Sequence, residues 1–256
     1  MCYDIKANLE AQLKRAKRSN NEFAIREIEE KLRPYLDLPL NHVSGFDHPK
    51  MLIYPSESSF SPKVATWGLV PFWTKNEADK NIIWQKTLNA KAETLFEKPA
   101  FKEVAKNKRC LIYIEGFYEH HFHNGKAFPH FVKHKNEEPL VLAGIYDDWL
   151  NNVNHNMLKS FSIITTVGNE LMTKIHNNPK LSGPRMPLVL DEELAEKWLS
   201  PNPKNIEAVL QYRPIENLVA YPVKPIKGKS ASGNVSNASS PHYYPELEEI
   251  QGSLFD

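Results

Sequence analysis

A cysteine stands at position 2, directly after the initiator methionine. A small residue there permits removal of Met1, which would leave Cys2 with a free α-amine and a thiol on one residue. An α-amine titrates at about 8 and a thiol at about 8.5, so the sequence predicts that both nucleophiles are available near neutrality. Such a residue can trap an aldehyde. The amine forms an imine, the thiol adds to it, and a five-membered ring closes, favoured because both groups attack from one residue. A serine would make a weaker ring, and an internal cysteine could not make one. Three further side chains suit the same chemistry. Glu119 ends the run Gly116-Phe117-Tyr118-Glu119; a carboxyl among aromatic neighbours tends to a raised pKa, which suits proton transfer. Glu115 competes for that role, because period-two counting puts it on the same strand face. Asn89 can hold an amine or a hydroxyl or cap a helix. His176 offers an imidazole that exchanges protons near neutral pH. Taken singly, each has a plainer reading: an idle second residue, a solvent-facing glutamate, a helix cap, a surface histidine.

Five islands of sequence change that balance. They are Met1-Cys2, Trp67-Gly68-Leu69-Val70-Pro71-Phe72-Trp73, Leu88-Asn89-Ala90-Lys91-Ala92-Glu93-Thr94, Arg109-Cys110 through Glu119, and Ile175-His176 with Arg185-Met186-Pro187. Together, in this order, they resemble the SRAP family of abasic-site-processing proteins, also called SOS response-associated peptidases. The resemblance implies an α+β fold whose antiparallel sheets form an open barrel with peripheral helices. It implies a single-stranded DNA groove leading to the N-terminal cysteine, and a thiazolidine crosslink between that cysteine and an abasic site. It places Cys2, Asn89, Glu119 and His176 in the active site, with Glu119 assisting opening of the deoxyribose ring and His176 acting as acid–base. No cofactor and no metal are implied. Two other readings stay open: a thiol peptidase with an N-terminal cysteine nucleophile, limited to releasing Met1, and a non-covalent DNA-binding module.

Around this centre, Trp67 is expected in the core, while Phe72 and Trp73 are candidates to stack on or wedge beside unpaired bases. Lys91 stands where the family more often has arginine; it can neutralise a phosphate but lacks a bidentate fork. Lys102 is the second candidate phosphate contact. Two departures from the family pattern stand out. Cys2-Tyr3-Asp4 replaces Cys-Gly-Arg, so another cation, from the helix following Lys6, is expected to serve. Residues 177–184 separate His176 from Arg185, where many members have these nearly adjacent. His121 and His123 share a strand face, but no cysteine or acid near them has zinc-motif spacing. The last six residues, Gln251 to Asp256, look like a bacterial sliding-clamp peptide, with Gln251, Leu254 and Phe255 as the anchors on a tether.

The 256 residues carry 41% hydrophobic and 25% charged side chains and a net charge of +1, so any nucleic-acid site must be a local basic groove. Two cysteines exclude a disulfide scaffold. No secretory signal and no membrane-spanning stretch is legible, and a cytoplasmic, nucleoid-associated monomer is expected. One domain is read over residues 1–226, with a helical insertion at about 6–35, and a flexible polar tail over 227–256. Helices are expected within 6–35, with Asn21 capping the second, and over 91–96, 99–107, 170–175, 192–199 and 205–210. Strands are expected over 64–69, 110–119, 127–132, 140–146 and 160–166, with a hairpin turn at Asn124-Gly125. Pro129 suggests an edge strand.

Overall fold

A computed structural model describes residues 2–212 and 217–248. The chain runs β1 (Asp4–Lys6), α1 (Leu9–Lys17), α2 (Glu22–Leu32), β2 (Val43–Ser44), β3 (Lys50–Pro55), β4 (Lys63–Trp67), α3 (Glu77–Ile83), β5 (Asn89–Lys91), α4 (Val104–Asn107) and β6 (Arg109–Ile114). It continues through β7 (Gly116–His123), β8 (Lys126–His134), β9 (Leu140–Leu150), β10 (Met157–Val167), α5 (Glu170–Ile175), β11 (Arg185–Pro187), β12 (Val189–Leu190), α6 (Glu192–Leu199), α7 (Pro203–Gln211) and β13 (Leu218–Pro222). Most helices start where an Asn or Asp side chain accepts a backbone N–H of the first turn: Asn8, Asn21, Asn76, Asn169, Asp191 and Asn202 all do so.

The expected α+β barrel is present. It is closed rather than open, because β10 pairs antiparallel with β9 while the path β10-β4-β3-β6-β9 returns to it. Nor is it wholly antiparallel: β10 runs parallel to both β4 and β5. Side chains of β6 alternate between two cores, as strand geometry requires. Cys110, Ile112 and Ile114 pack inside with Trp67, Phe161 and Ile163. Leu111 and Tyr113 face outward, where Trp198 of α6 and Val209 of α7 cover them.

A second sheet, ordered β13-β8-β7-β1-β2, carries the N-terminal strand. The continuous strand expected over 110–119 is split at Glu115: β6 belongs to the barrel and β7 to this second sheet. Glu115 and Gly116 interrupt the apolar run at the switch, but two residues alone do not announce a change of sheet. Glu115 therefore shares no strand face with Glu119. Its carboxylate accepts the Asn8 N–H at 3.0 Å and pairs with Lys6 at 3.2 Å. The turn at Asn124 and Gly125 has positive φ at both residues, 46° and 77°, as a tight two-residue hairpin needs. β8 is an inner strand, against the expectation from Pro129. The proline sits where pairing with β13 ends, and its carbonyl accepts the Val223 N–H at 2.9 Å.

Residues 91–96 form no regular α-helix; β5 and a short 3-10 turn occupy this stretch, because pairing with β10 outweighs local helix propensity. The tail expected to be loose from residue 227 stays on the body through 248, where Ala238 and Leu247 are fully buried. The peptide Gln251 to Asp256 lies outside the described residues. Among the described residues, no helix is long and apolar enough to cross a membrane.

Candidate active site

β1 is three residues long and is zipped to β7 by Asp4 opposite Tyr118, Ile5 opposite Phe117 and Lys6 opposite Gly116. This pairing carries Cys2 past Tyr118 toward Glu119, in the middle of β7. Cys2 is 1% exposed and Glu119 8%. β5 approaches from the barrel: Asn89, opposite Ile163 of β10, donates its Nδ2 to the Cys2 carbonyl at 2.7 Å. Asn89 is thus no helix cap. Its Oδ1 is buried and has no hydrogen-bond partner among the described residues. An acceptor so placed is ready for an amine or hydroxyl.

Burial, and then the Glu119 charge, pushes the Cys2 thiol well above its ordinary value. With Met1 attached the sulfur is therefore a thiol at neutral pH; the availability expected from the sequence concerns the form with Met1 removed. Burial also raises the Glu119 carboxyl, although the His120 N–H donates to its Oε1 at 3.0 Å. The Glu119 charge acts on the Cys2 thiol, and Glu119 has the raised proton affinity that acid–base work favours.

His176 follows α5, the helix whose Met172 and Ile175 pack in the same core as Cys2. Residues 177–184 loop out, and Asn177 ties that loop to β7 by bonds to the Phe122 N–H and carbonyl. The chain then returns so that the Arg185 N–H donates to His176 Nδ1 at 2.8 Å. The eight-residue separation in sequence is cancelled in space. Burial pulls the His176 pKa down to about 4. It is a neutral imidazole near pH 7, and with Nδ1 accepting, its proton resides on Nε2. His176 is thus a hydrogen-bond donor rather than a group titrating near neutrality. Arg185 anchors it: its guanidinium pairs with Glu93 at 2.9 Å and donates to the Thr165 carbonyl at 2.8 Å. The sequence reading gave Arg185 no role, although it stood in a matching island.

A cavity of about 620 Å³ opens beside Asn89, lined among others by Tyr3, Trp73, Lys86, Lys91 and Lys98. Trp73 and Lys91, both expected in a DNA groove, thus share one cavity with Asn89. Lys86 and Lys98 join them, and neither was singled out from the sequence. Phe72 is 59% exposed on the same turn as Trp73, outside the cavity. Lys102 is exposed and also lies outside it. The turn is fastened to the end of β9: Asp147, fully buried, accepts the Phe72 N–H at 2.8 Å and pairs with Lys108 at 2.7 Å, while Trp149 donates to the Thr74 carbonyl at 2.7 Å. Trp67 is fully buried, as expected.

Lys14 and Arg15 of α1 and Arg18 at its C-cap are engaged by carboxylates, and Lys17 lies 3.7 Å from Glu10. Lys14 pairs with Glu138 at 2.6 Å, Arg15 with Glu196 at 2.8 Å, and Arg18 with Glu192. Asp4, in place of the family arginine, is buried and holds Lys227 at 2.6 Å and His42 at 3.1 Å. Burial opposes its ionisation, but those two hydrogen bonds hold it below the usual carboxylate range. In the histidine group, His121 and His123 stack with centroids 6.2 Å apart. Among the described residues, no three His, Cys, Asp or Glu side chains are placed to hold a metal ion.

A closed barrel with a second sheet that brings Cys2 near Glu119 and under the grip of Asn89 defines one class of protein. The profile of the SRAP family (SOS response associated peptidase) matches residues 9–229, and the chain belongs to that family. It is 38% identical over 161 residues to abasic site processing protein YoqW of Bacillus subtilis, covering 61% of this chain and 66% of that protein. It is 34% identical to abasic site processing protein HMCES of Gallus gallus, covering 61% of this chain and 51% of that one. The matched stretch thus spans less than two thirds of these relatives. A crystal structure of a Bacteroides thetaiotaomicron protein superposes with a TM-score of 0.79 at 32% identity, covering 94% of this chain and all of the other.

Proposed function

We propose that this protein recognises abasic sites in single-stranded DNA and captures them covalently through Cys2, by a lyase-like opening of the sugar followed by ring closure. The observation that carries the reading is Asn89, which grips the Cys2 carbonyl at 2.7 Å and keeps an unused buried acceptor beside it. Once Met1 is removed, the Cys2 nitrogen changes from an amide to an amine, a donor suited to that acceptor. Glu119 shuttles the proton that opens the sugar hemiacetal to the aldehyde. The amine adds to the aldehyde and water leaves, giving the imine. The thiol then adds across the C=N bond, its sulfur bonding to carbon and its proton passing, by way of Glu119, to nitrogen. The sum is aldehyde plus aminothiol giving thiazolidine plus one water. His176 Nε2–H serves as donor to an oxygen of the opened sugar. Bases flanking the gap stack on Trp73 and Phe72, and Lys91 with Lys102 meets the phosphates.

The test is to incubate the protein with an oligonucleotide containing one abasic site, denature, and resolve the products on a gel. A shifted band whose intact mass is protein plus DNA minus one water, absent in Cys2→Ala, is expected. Binding that denaturation abolishes, or mature protein that still carries Met1, would overturn the proposal.

A further inference from the structure

The N-terminal strand that presents Cys2 pairs with β7 on its inner side, but its sheet secures it poorly on the outer side. β1 has three residues, and β2, on its outer side, has two, with Asp4 opposite Ser44 and Ile5 opposite Val43. Pairing so short is marginal alone. What secures it comes from the far end of the chain. After β13, residues 223–248 form a loop closed on itself: Val223 bridges Pro241, the His242 N–H donates to the Pro222 carbonyl at 2.8 Å, and the Tyr244 hydroxyl donates to the Val223 carbonyl at 2.8 Å. Its base is tied to β8 by the Val223 N–H on the Pro129 carbonyl at 2.9 Å. Two of its residues grip β1 itself. Lys227 pairs with Asp4 at 2.6 Å, and Ser239 accepts from Lys6 at 3.1 Å. A third grips the segment leading into β2: Asn234 Oδ1 accepts the Asn41 N–H at 2.7 Å and the His42 N–H at 3.1 Å, and its Nδ2 donates to the Pro39 carbonyl. His42 in turn closes on Asp4 at 3.1 Å.

We propose that residues 223–248 are a strap that holds β1, and through it Cys2, in reactive position, with Lys227 and Asn234 as positioning residues. The bonds converge on Asp4, two residues from the cysteine, and on the backbone of the neighbouring segment, so they fix both the height and the tilt of the strand. Most of the strap lies past residue 229, where the family match ends. The catalytic part of the inference rests on the crosslinking reading above. Near-attack geometry is demanding: a displacement of about 1 Å can lower a rate about 10²-fold.

The experiment uses the full chain, Lys227→Met, Asn234→Ala and the conservative Lys227→Arg. Amide hydrogen exchange reads the strap directly, and crosslinking at saturating DNA reads its effect on Cys2. Exchange of β1 amides should quicken at least about tenfold in the first two variants, with β8 amides unchanged. The crosslinking rate should fall about tenfold while DNA affinity holds, and Lys227→Arg should restore both. Unchanged β1 exchange overturns the strap, and faster exchange with an unchanged crosslinking rate overturns its positioning role. If the unmodified protein forms no crosslink, the functional proposal fails instead, and the exchange measurement still decides whether the strap holds β1.

Discussion

Replacing Glu119 by glutamine keeps the shape of a buried side chain and removes a charge that burial disfavours. A folded-state pKa raised above the unfolded value of about 4.4 gives a contribution that is full below that value and is lost as pH rises through the folded one. Glu119→Gln should therefore be more favourable to stability at pH 7 than near pH 4, with urea unfolding at both as the check. The same variant should slow crosslinking by about 10²–10⁴-fold. For His176 the lowered pKa of about 4 makes a different prediction: the crosslinking rate should show no limb near the ordinary histidine pKa. A pH–rate profile in which His176→Gln deletes a limb at about 6.5 would contradict the geometry at Arg185. Residue types made Cys2, Glu119, Asn89 and His176 candidates, and the family resemblance of the five islands singled them out. They could not show that Asn89 holds the Cys2 carbonyl or that Arg185 fixes the imidazole, since both facts arise from pairing across distant strands.

Helices 170–175 and 192–199 were legible to the residue because Asn169 and Asp191 cap them and their apolar faces follow the helical period. The break at Glu115 was not, since one charged residue and the glycine after it are also compatible with a single strand that continues across them. β5 reads as helix in Asn-Ala-Lys-Ala-Glu-Thr, and only its parallel partner β10 makes it a strand. At this scale the turn after β4 invites a test. Gly68 has φ +112°, and a Cβ there would lie 2.7 Å from His48 Nδ1 and 3.0 Å from the Trp84 carbonyl oxygen. Gly68→Ala should destabilise the protein by about 1–3 kcal/mol, measured by thermal unfolding, and should weaken DNA binding by tilting the aromatic turn. Trp73→Ala should leave stability nearly unchanged and reduce affinity for single-stranded DNA by about 1–3 kcal/mol, read by fluorescence anisotropy.

Over the whole molecule, net charge is near zero while Lys86, Lys91 and Lys98 gather at one cavity. If these three meet phosphates, the logarithm of DNA affinity should fall with the logarithm of salt at a slope of about −2, and Lys98→Gln should reduce it by about 0.7. Stability should also depend on pH. His130 and His176 are both pulled to about 4 by burial. Unfolded histidines protonate at about 6.5, so between those values the unfolded chain binds more protons. Stability is complete above that range and declines as pH falls through it. Melting temperature against pH should show this decline, and His130→Phe should make it shallower.

The barrel closes where β10 meets β4, strands some ninety residues apart in sequence, and the same β10 holds β5 with Asn89. Contacts of such long range form late in folding. Until they form, Asn89 has no fixed place from which to hold the carbonyl of Cys2. A nascent or damaged chain would then carry its sulfur without the company that makes it aggressive toward sugar aldehydes. On the crosslinking proposal, completion of the cylinder is thus what sets Asn89 against Cys2.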